Sequence, residues 1–502
     1  MKTVRKLSNA LSSSASIFVF AVAYILLAFG SFNVFTTETP AITYYSHLIK
    51  IWGFVLIIAA LFAKKIKFDW KFILICLFIV VFAVSCFVSK DYGGLFNNLK
   101  GTIWIILEGI LLFGITRDKN DEIWVKRFLI IIIAITTVFA AISIYFAIVG
   151  YIYVPTLISK DLYFSGIAKG RLYGFYTDPN YGGIAASICI FSCFYVLRKK
   201  KLLNIILIAL IVAIQMIYIS LTGSRTTMVA FGVSLFLLIF LIVIKFSKNK
   251  NLLFNIIKSI LCGVLASCVF CVTTLAIGYG YENIEPKILK MLGGPVSDAY
   301  QLFPREFANK VYEECGLKPI EIEDEKYTKF EIEQTTKNIF EAEHIGLMSR
   351  NENTDISNNR FDLWKNAIDI WKTSPIIGVG HNNILNYSKE FFPAGKMSIQ
   401  NQRTSHNLIF DILAGHGIVG LLLFLAFLSL CVVSAFKILQ KKGNFAYINI
   451  SILISIMCLI LVSSMFYPDI LYVNTVESVV FWYILGSLRT NEILLKKDTK
   501  DG

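Results

Sequence analysis

Charged residues are scarce in this chain. Only 16% of its 502 residues are Asp, Glu, Lys or Arg, whereas 56% are hydrophobic. A soluble domain carries about 25% charged residues, so the composition excludes a chain built of soluble domains alone. Gly/Ser-rich and Pro-rich linkers are missing as well, and no internal repeat is visible. These absences argue against a string of tethered domains and against a repeat architecture.

The cysteines and the net charge exclude two further classes. Most of the ten cysteines lie in apolar runs, as Cys189 and Cys193 do, and only Cys315 lies in a long polar segment. With no Cys/His cluster, neither a disulfide framework nor a structural zinc site is indicated. The net charge of +14 does not indicate nucleic-acid binding, because the Lys and Arg residues lie in short patches between apolar blocks.

Long apolar blocks are what the chain does contain. They are about twenty residues long, the length that crosses the hydrocarbon core of a bilayer. The sequence therefore predicts an all-α polytopic membrane protein with about twelve transmembrane helices. The predicted spans are 17–32, 47–63, 72–89, 101–116, 128–149, 181–197, 202–220, 226–244, 256–278, 407–436, 446–466 and 475–488.

Basic residues are distributed unevenly between the two sides of these spans. The seven segments on the side of the N-terminus hold 25 Lys and Arg residues, and the five short connections on the other side hold six. The positive-inside rule then places both termini in the cytoplasm. The predicted organisation is transmembrane helices 1–9 in 1–278, an extracytoplasmic and mostly helical loop domain in 279–405, helices 10–12 in 406–490, and a cytoplasmic tail in 491–502.

Within that loop, a helix is predicted between Asn359 and Ser374. Phe361, Trp364, Ile368 and Trp371 recur at helical spacing, which gives one apolar stripe. Asn358 or Asn359 is a suitable cap, and Ser374-Pro375 a suitable end. Two tryptophans on the stripe predict that it lies against the membrane interface or the helix bundle.

Four basic side chains are predicted on the extracytoplasmic side, at four separate places along the chain. Arg171 precedes the sixth span, Arg225 lies in the short turn between the seventh and eighth, Arg360 lies in the long loop, and His406 ends that loop. Arginine suits phosphate because its planar fork donates two parallel hydrogen bonds. A histidine near neutral pH can accept a proton from a sugar hydroxyl. Together they would activate an acceptor hydroxyl and stabilise a departing pyrophosphate.

Simpler interpretations exist for each of these residues. Arg171 could anchor at lipid headgroups, Arg360 could be a surface charge, and His406 could be an ordinary interfacial histidine. Glu108, inside the fourth span, is an intramembrane carboxylate and so a functional candidate by default, although pairing within the bundle would also explain it.

The remaining residues of interest are weaker candidates. His381 and His416 have little supporting context. Asp411 lies five residues after His406 and so points to another helix face, which argues against an Asp–His pair. Gly415, Gly417 and Gly420 permit close helix contact and are interpreted as packing residues.

Four segments together resemble the O-antigen ligase and polymerase (Wzy-type) family of bacterial polysaccharide assembly. They are RLYGFYTDPNYGG at 171–183, LTGSRTTMVAF at 221–231, NRFDLWKNAIDIWKTSPIIGVG at 359–380 and SHNLIFDILAGHGIVGLLLF at 405–424. The resemblance covers most of 165–430. Residues 1–160 match only in hydropathy.

The resemblance implies a GT-C-like, metal-independent, inverting glycosyltransferase in the bacterial inner membrane, with no cofactor. Its implied partners are an undecaprenyl-pyrophosphate-linked glycan donor, a glycan acceptor, membrane lipid and a chain-length regulator, but no nucleic acid. Pyrophosphate-binding arginines would fall on Arg225 and Arg360, and the catalytic histidine on His406. Arg171 matches a recurrent arginine whose role is less sharply defined.

Three functions stay open at this point. The first is a polymerase that joins lipid-linked repeat units into O-antigen, capsular polysaccharide or exopolysaccharide. The second is a ligase that transfers finished glycan to lipid A–core or protein. The third is a transporter or flippase, which would carry its polar residues inside the spans and would show discontinuous helices and internal repeats. The apolar spans and the outer polar groups favour an enzyme.

Overall fold

The computed structural model describes residues 2–33, 36, 39–150, 165–168, 170–197, 201–247, 249, 251–291, 359–441, 443–467, 470–472 and 474–501. Most of the predicted loop interior, residues 292–358, lies outside these ranges. This part includes Cys315 and His344. Before this loop the helices are α1 (Lys2–Leu11), α2 (Ser14–Ser31), α3 (Pro40–Phe62), α4 (Trp70–Val88), α5 (Lys90–Gly93), α6 (Leu95–Ile106), α7 (Asp121–Ile148), α8 (Pro179–Val196), α9 (Leu202–Thr222), α10 (Arg225–Phe246) and α11 (Leu252–Met291). After it they are α12 (Arg360–Thr373), α13 (Ile384–Phe391), α14 (Lys396–Ile399), α15 (Leu408–Lys441), α16 (Asn444–Ser464) and α17 (Val476–Asp501).

Eleven of the described helices are long and apolar enough to cross a membrane. In one of them, α6 continues as a π-helix over Leu107–Gly114. Besides the helices, the described residues form a two-residue antiparallel hairpin of β1 (Ile167–Ala168) and β2 (Arg171–Leu172). The predicted all-α polytopic membrane fold is confirmed.

The twelfth predicted span corresponds to α17, which differs from the other eleven. Its apolar part is followed by Arg489 and Glu492, and it is buried nearly all round within the bundle. Arg489 forms an ion pair with Asp69 at 3.0 Å and donates to the carbonyl of Gly114 at 2.7 Å. Glu492 pairs with Lys71. These buried pairs fasten the polar part of α17 to neighbouring helices, so its charged residues are compensated rather than exposed to lipid.

Helix α15 is broken at Gly417. This glycine has φ 63° and ψ −169° inside the helix. The segment Pro375–Gly380 fills the break: Ile418 N donates to Pro375 O at 2.9 Å, and Gly380 N donates to Gly415 O at 2.7 Å. A Cβ on Gly417 would lie 2.2 Å from Ile376 O. The glycines predicted to serve packing therefore also make room for a backbone crossing.

The break explains the length of α15. Its 34 residues would extend about 51 Å as one straight helix, well beyond the hydrocarbon core of about 30 Å. The part before Gly417 is a short separate piece that carries His406 just ahead of it. The position of His406 is thus set by the segment Pro375–Gly380 as well as by its own helix.

His381 and His416 pack beside this break. His416 Nδ1 is 2.8 Å from Ser85 Oγ, and its ring stacks on Phe82 with centroids 4.4 Å apart. His381 stacks on Tyr472 at 3.6 Å. Both histidines are buried. The contacts of His416 join α15 to α4, and the contact of His381 joins the residue after Gly380 to Tyr472, so both have a structural role.

One predicted helix end and one predicted buried face differ from the structure. Helix α11 continues to Met291, beyond the predicted end of the span at 278. Helix α12 begins at Arg360 and is capped at Ser374, as its sequence signals predict. However, its buried face is formed by Leu363, Ala367 and Ile370, whereas Phe361 is 66% exposed. The buried stripe is therefore offset from the predicted one, because α12 packs on α15 through its smaller side chains.

Candidate active site

Arg225 and Arg360 each occupy the first position of a helix. Helix α10 begins at Arg225 and α12 begins at Arg360, so Arg225 lies at a helix start rather than in a free turn. The helix macrodipole puts positive partial charge at this end, where a cation is disfavoured. Neither position is explained by helix stability, although Ser224 does cap α10 by accepting from Thr227 N at 3.1 Å.

Arg171 fixes the turn that precedes Arg225. It is buried in β2, its Nε donates to Thr222 O at 2.7 Å, and its Nη2 donates to Asn180 Oδ1 at 3.1 Å. The same Asn180 oxygen accepts from Ser224 Oγ at 2.7 Å. Arg171 therefore links the hairpin, the start of α8 and the α9–α10 turn.

The turn after α16 connects Arg360, His406 and α8. The Arg360 guanidinium lies 5.4 Å from the ring centroid of Phe466. The imidazole of His406 lies 5.2 Å, between centroids, from the ring of Tyr467. On its other side, Tyr467 contacts Tyr181 of α8 at 5.0 Å. Since Tyr181 is next to Asn180, this aromatic turn joins the Arg360–His406 pair to the Arg171 network.

His406 adopts a left-handed backbone conformation with φ 56°. A non-glycine residue held this way carries strain of about 1–3 kcal/mol, which the surrounding contacts must offset. Asp411 Oδ1 accepts from Ser405 N at 2.7 Å, and Asn407 Nδ2 donates to Met465 O at 3.0 Å. Asp411 thus acts on the backbone beside His406, in agreement with the prediction that the two side chains form no pair.

The electrostatics of the site are strongly cationic. Burial and the neighbouring charges of Arg225 and Arg171 lower the pKa of Arg360, while the Asp178 carboxylate acts in the opposite direction. Burial also lowers the pKa of Arg171, again opposed by Asp178. The three guanidinium groups thus repel one another, and among the described residues the Asp178 carboxylate opposes this repulsion at Arg171 and Arg360. Such an arrangement is suited to a bound anion with more than one negative charge.

His406 is held in its neutral form. Burial, followed by the positive charge of Arg360, lowers its pKa to about 4, and Asp178 only partly opposes this. Its side chain is half-buried, and its Nδ1 has no hydrogen-bond partner among the described residues. A neutral imidazole with an unengaged nitrogen can accept a proton at any physiological pH.

The sequence predicted the four basic residues but missed those that hold them. Asp178, Asn180 and Asn407 lie within the quoted segments and Tyr467 lies outside them, and the sequence analysis assigns a role to none of the four. A signal was present for Asp178, because Asp followed by Pro marks a helix start. Asp178 Oδ1 does accept from the N–H of Asn180 at 2.6 Å.

Glu108 and His47 lie apart from this network. Glu108 is buried in the π-helical turn and accepts a hydrogen bond from Tyr24 Oη at 3.2 Å. Pairing within the bundle therefore accounts for this carboxylate. His47, in α3, is exposed.

Fold and site together define a polytopic helical membrane protein with a cationic site at the starts of α8, α10, α12 and α15. The family model described as O-antigen ligase matches residues 209–425. This match over 217 of the 502 residues supports a relationship to the O-antigen ligase/polymerase family. The matched range contains Arg225, Arg360 and His406, and Arg171 lies before it. A comparison with curated proteins found no match. The match supports a glycosyltransferase-like enzyme with lipid-linked glycan substrates in a membrane.

Proposed function

We propose that the protein is a polymerase that joins oligosaccharide repeat units carried on undecaprenyl pyrophosphate. One observation carries the proposal: the guanidinium groups of Arg171, Arg225 and Arg360 lie close enough to influence one another, and His406 lies within the influence of both Arg360 and the Asp178 carboxylate. We further propose that this end faces the extracytoplasmic side of a bacterial inner membrane, with both termini in the cytoplasm. Reporter fusions after residues 300 and 440 test this topology; a cytoplasmic signal at 300 would overturn it.

In this proposal, Arg225 and Arg360 bind the donor pyrophosphate. Each guanidinium offers two parallel donors to phosphate oxygens and keeps its charge at any physiological pH. The helix starts that carry them add N–H groups and positive dipole ends, which favour the same anion. The unfavourable position of each arginine is then explained, because the bound pyrophosphate relieves the repulsion. Arg171, with two donors already used within the protein, adds charge and holds the Arg225 turn.

His406 is the proposed general base. Its imidazole takes the proton of an acceptor sugar hydroxyl as that oxygen attacks the anomeric carbon of the donor sugar. The bond from this carbon to the phosphate oxygen breaks, and its electron pair leaves with the pyrophosphate. Attack opposite to the leaving group inverts the anomeric configuration. The arginines stabilise the charge that develops on the leaving group, so the proposed reaction requires no metal ion.

A ligase is the second candidate, since the matching family model is itself described as O-antigen ligase. The two functions share the donor and the chemistry and differ in the acceptor. A transporter is less well supported. The break in α15 is a feature that transporters use, but here Pro375–Gly380 of the same chain fills it.

Deletion of the gene separates the three functions by their products. Loss of a polymerase leaves single repeat units attached to the final acceptor. Loss of a ligase leaves long glycan chains on the carrier lipid. Loss of a flippase leaves unpolymerised units facing the cytoplasm. We expect the first pattern on a glycan gel, with recovery of the ladder when the wild-type gene is supplied.

The pH dependence of activity is expected to reflect the effect of the Arg360 charge on the pKa of His406. With the pKa of His406 at about 4, kcat/KM should fall only below about pH 4, where the imidazole becomes protonated. Arg360→Gln removes the neighbouring positive charge, so the pKa of His406 should rise and the acid limb should move to higher pH. Arg403→Gln, an exposed arginine of the same loop, should leave the limb in place. A wild-type limb near pH 6.5 would contradict the assignment.

A further inference from the structure

A cleft on the described part of the long loop lies outside the proposed catalytic machinery. Its volume is about 520 Å³. One wall is α12, through Asp362, Lys365, Asn366 and Asp369, and the other wall is the segment Phe391–Lys396. A volume of this size is in the range of small-ligand sites.

The α12 wall is one regular face of a helix. Positions 362, 365, 366 and 369 follow the spacing i, i+3, i+4, i+7, which brings them onto a single stripe. The stripe extends over eight residues, or about 10 Å along the helix axis. It presents its polar side chains in a row along the cleft.

The floor of the cleft is built by fixed contacts. Asn366 is buried, and its Oδ1 accepts from Met397 N at 3.0 Å and from Ser388 Oγ at 3.2 Å. Gly395 approaches so closely that a Cβ there would lie 2.6 Å from the same oxygen. These contacts of Asn366 hold the two walls at a fixed distance from each other, so the cleft is preformed.

The chemistry of the lining suits a neutral, hydroxyl-rich ligand. Two carboxylates, of Asp362 and Asp369, are balanced by two ammonium groups, of Lys365 and Lys396, so the cleft has no surplus charge to attract an anion. Carboxylates accept hydrogen bonds from hydroxyl groups and ammonium groups donate to them. Phe391, which is 50% exposed, offers an aromatic face to the C–H side of a sugar ring. The cationic site differs in that its arginines outnumber the carboxylate described beside them.

The cleft also has a definite position relative to that site. Helix α12 begins at Arg360, two residues before Asp362. The other wall leads along the chain from Lys396 to His406 within ten residues. Both walls of the cleft are therefore continuous along the chain with residues of the cationic site.

We infer that this cleft is a binding site for the oligosaccharide of the glycan substrate, beyond the sugar that reacts. This inference rests on the proposed function. Binding in the cleft would use contacts remote from the reacting bond to hold the chain in register. The oligosaccharide could belong to the donor or to the acceptor, and the kinetics distinguish these sources.

The test uses the full-length protein in lipid nanodiscs with two probes. The first is the lipid-linked oligosaccharide extracted from cells that lack the gene. The second is the free oligosaccharide released from it by mild acid, which has no pyrophosphate and can act only as acceptor. We expect Phe391→Ala and Asp362→Asn to raise KM about tenfold for one probe, with kcat nearly unchanged. A rise for the free oligosaccharide assigns the cleft to the acceptor, and a rise only for the lipid-linked compound assigns it to the donor.

Matched controls are Ile399→Ala and Glu390→Gln, whose side chains are exposed nearby and do not line the cleft. Both should keep the wild-type KM. Unchanged KM values for both probes in the cleft variants would overturn the inference. Should the wild type form no glycosidic bond at all, the proposed function fails instead. The cleft is then tested by direct titration of His406→Ala protein with both probes, and equal affinity for each probe with and without Phe391→Ala would reject it.

Discussion

Replacing His406 by alanine is expected to abolish polymer formation while the protein still folds and inserts. A positioned general base contributes about 10²- to 10⁴-fold to rate, and a membrane bundle of this size does not depend on one half-buried side chain. The removal should not leave a buried charge without a partner, because the imidazole is neutral with a pKa of about 4. The measurement is transfer rate per folded protein, with folding checked by thermal unfolding in detergent.

Two further variants sharpen this experiment. His47→Ala removes an exposed histidine of α3 and should leave activity intact. His406→Gly should be as inactive as His406→Ala but at least as stable, since glycine adopts the left-handed conformation with φ 56° without strain. Full activity in either position-406 variant would remove His406 from the mechanism.

Arg225→Lys is expected to reduce activity although it keeps the charge. An ammonium group cannot supply the two parallel donors of a guanidinium, and one lost hydrogen bond to a charged group corresponds to about 1.5–3 kcal/mol. Transfer should therefore slow by about 10- to 100-fold. Because the pyrophosphate carries more charge as it leaves, the loss should be larger in kcat than in KM. Steady-state kinetics with the lipid-linked donor measure both.

Arg127→Lys provides the matched control for this variant. Arg127 is an exposed arginine of α7 whose guanidinium lies over Trp124, and its replacement should leave both kinetic constants unchanged. If Arg225→Lys behaved like this control, a diffuse positive charge would suffice at position 225. The proposed bidentate contact would then be rejected.

Much of the fold follows from local composition. Eleven of the twelve predicted spans correspond to helices long and apolar enough to cross a membrane. The prediction succeeds because the bilayer core requires each span to be apolar and about twenty residues long. The start and end of α12 were also readable, from Asn359 and Ser374. Its buried face was not, since Leu363 and Ala367 face α15 while the larger Phe361 does not.

The supporting contacts of the site could not be read in the same way. Arg171 looked like a residue for phosphate or headgroups, yet two of its donors bind Thr222 O and Asn180 Oδ1. The spacing of five residues argues against a pair between Asp411 and His406. In the structure the Asp411 carboxylate instead accepts a hydrogen bond from the backbone N–H of Ser405. The Arg171–Thr222 contact joins residues 51 positions apart, and no local pattern shows which such residues will meet.

Hydropathy and charge along the chain were enough to predict a membrane protein with polar groups at the ends of its spans. They were also enough to select Arg171, Arg225, Arg360 and His406 as candidate site residues. Hydropathy and charge are local properties, so a single chain displays them directly. The contacts that position these four residues are visible only in the three-dimensional structure. The starts of several helices meet the turn after α16 there, and the break in α15 at Gly417 makes room for the segment Pro375–Gly380. That convergence depends on helix packing, which no local pattern encodes.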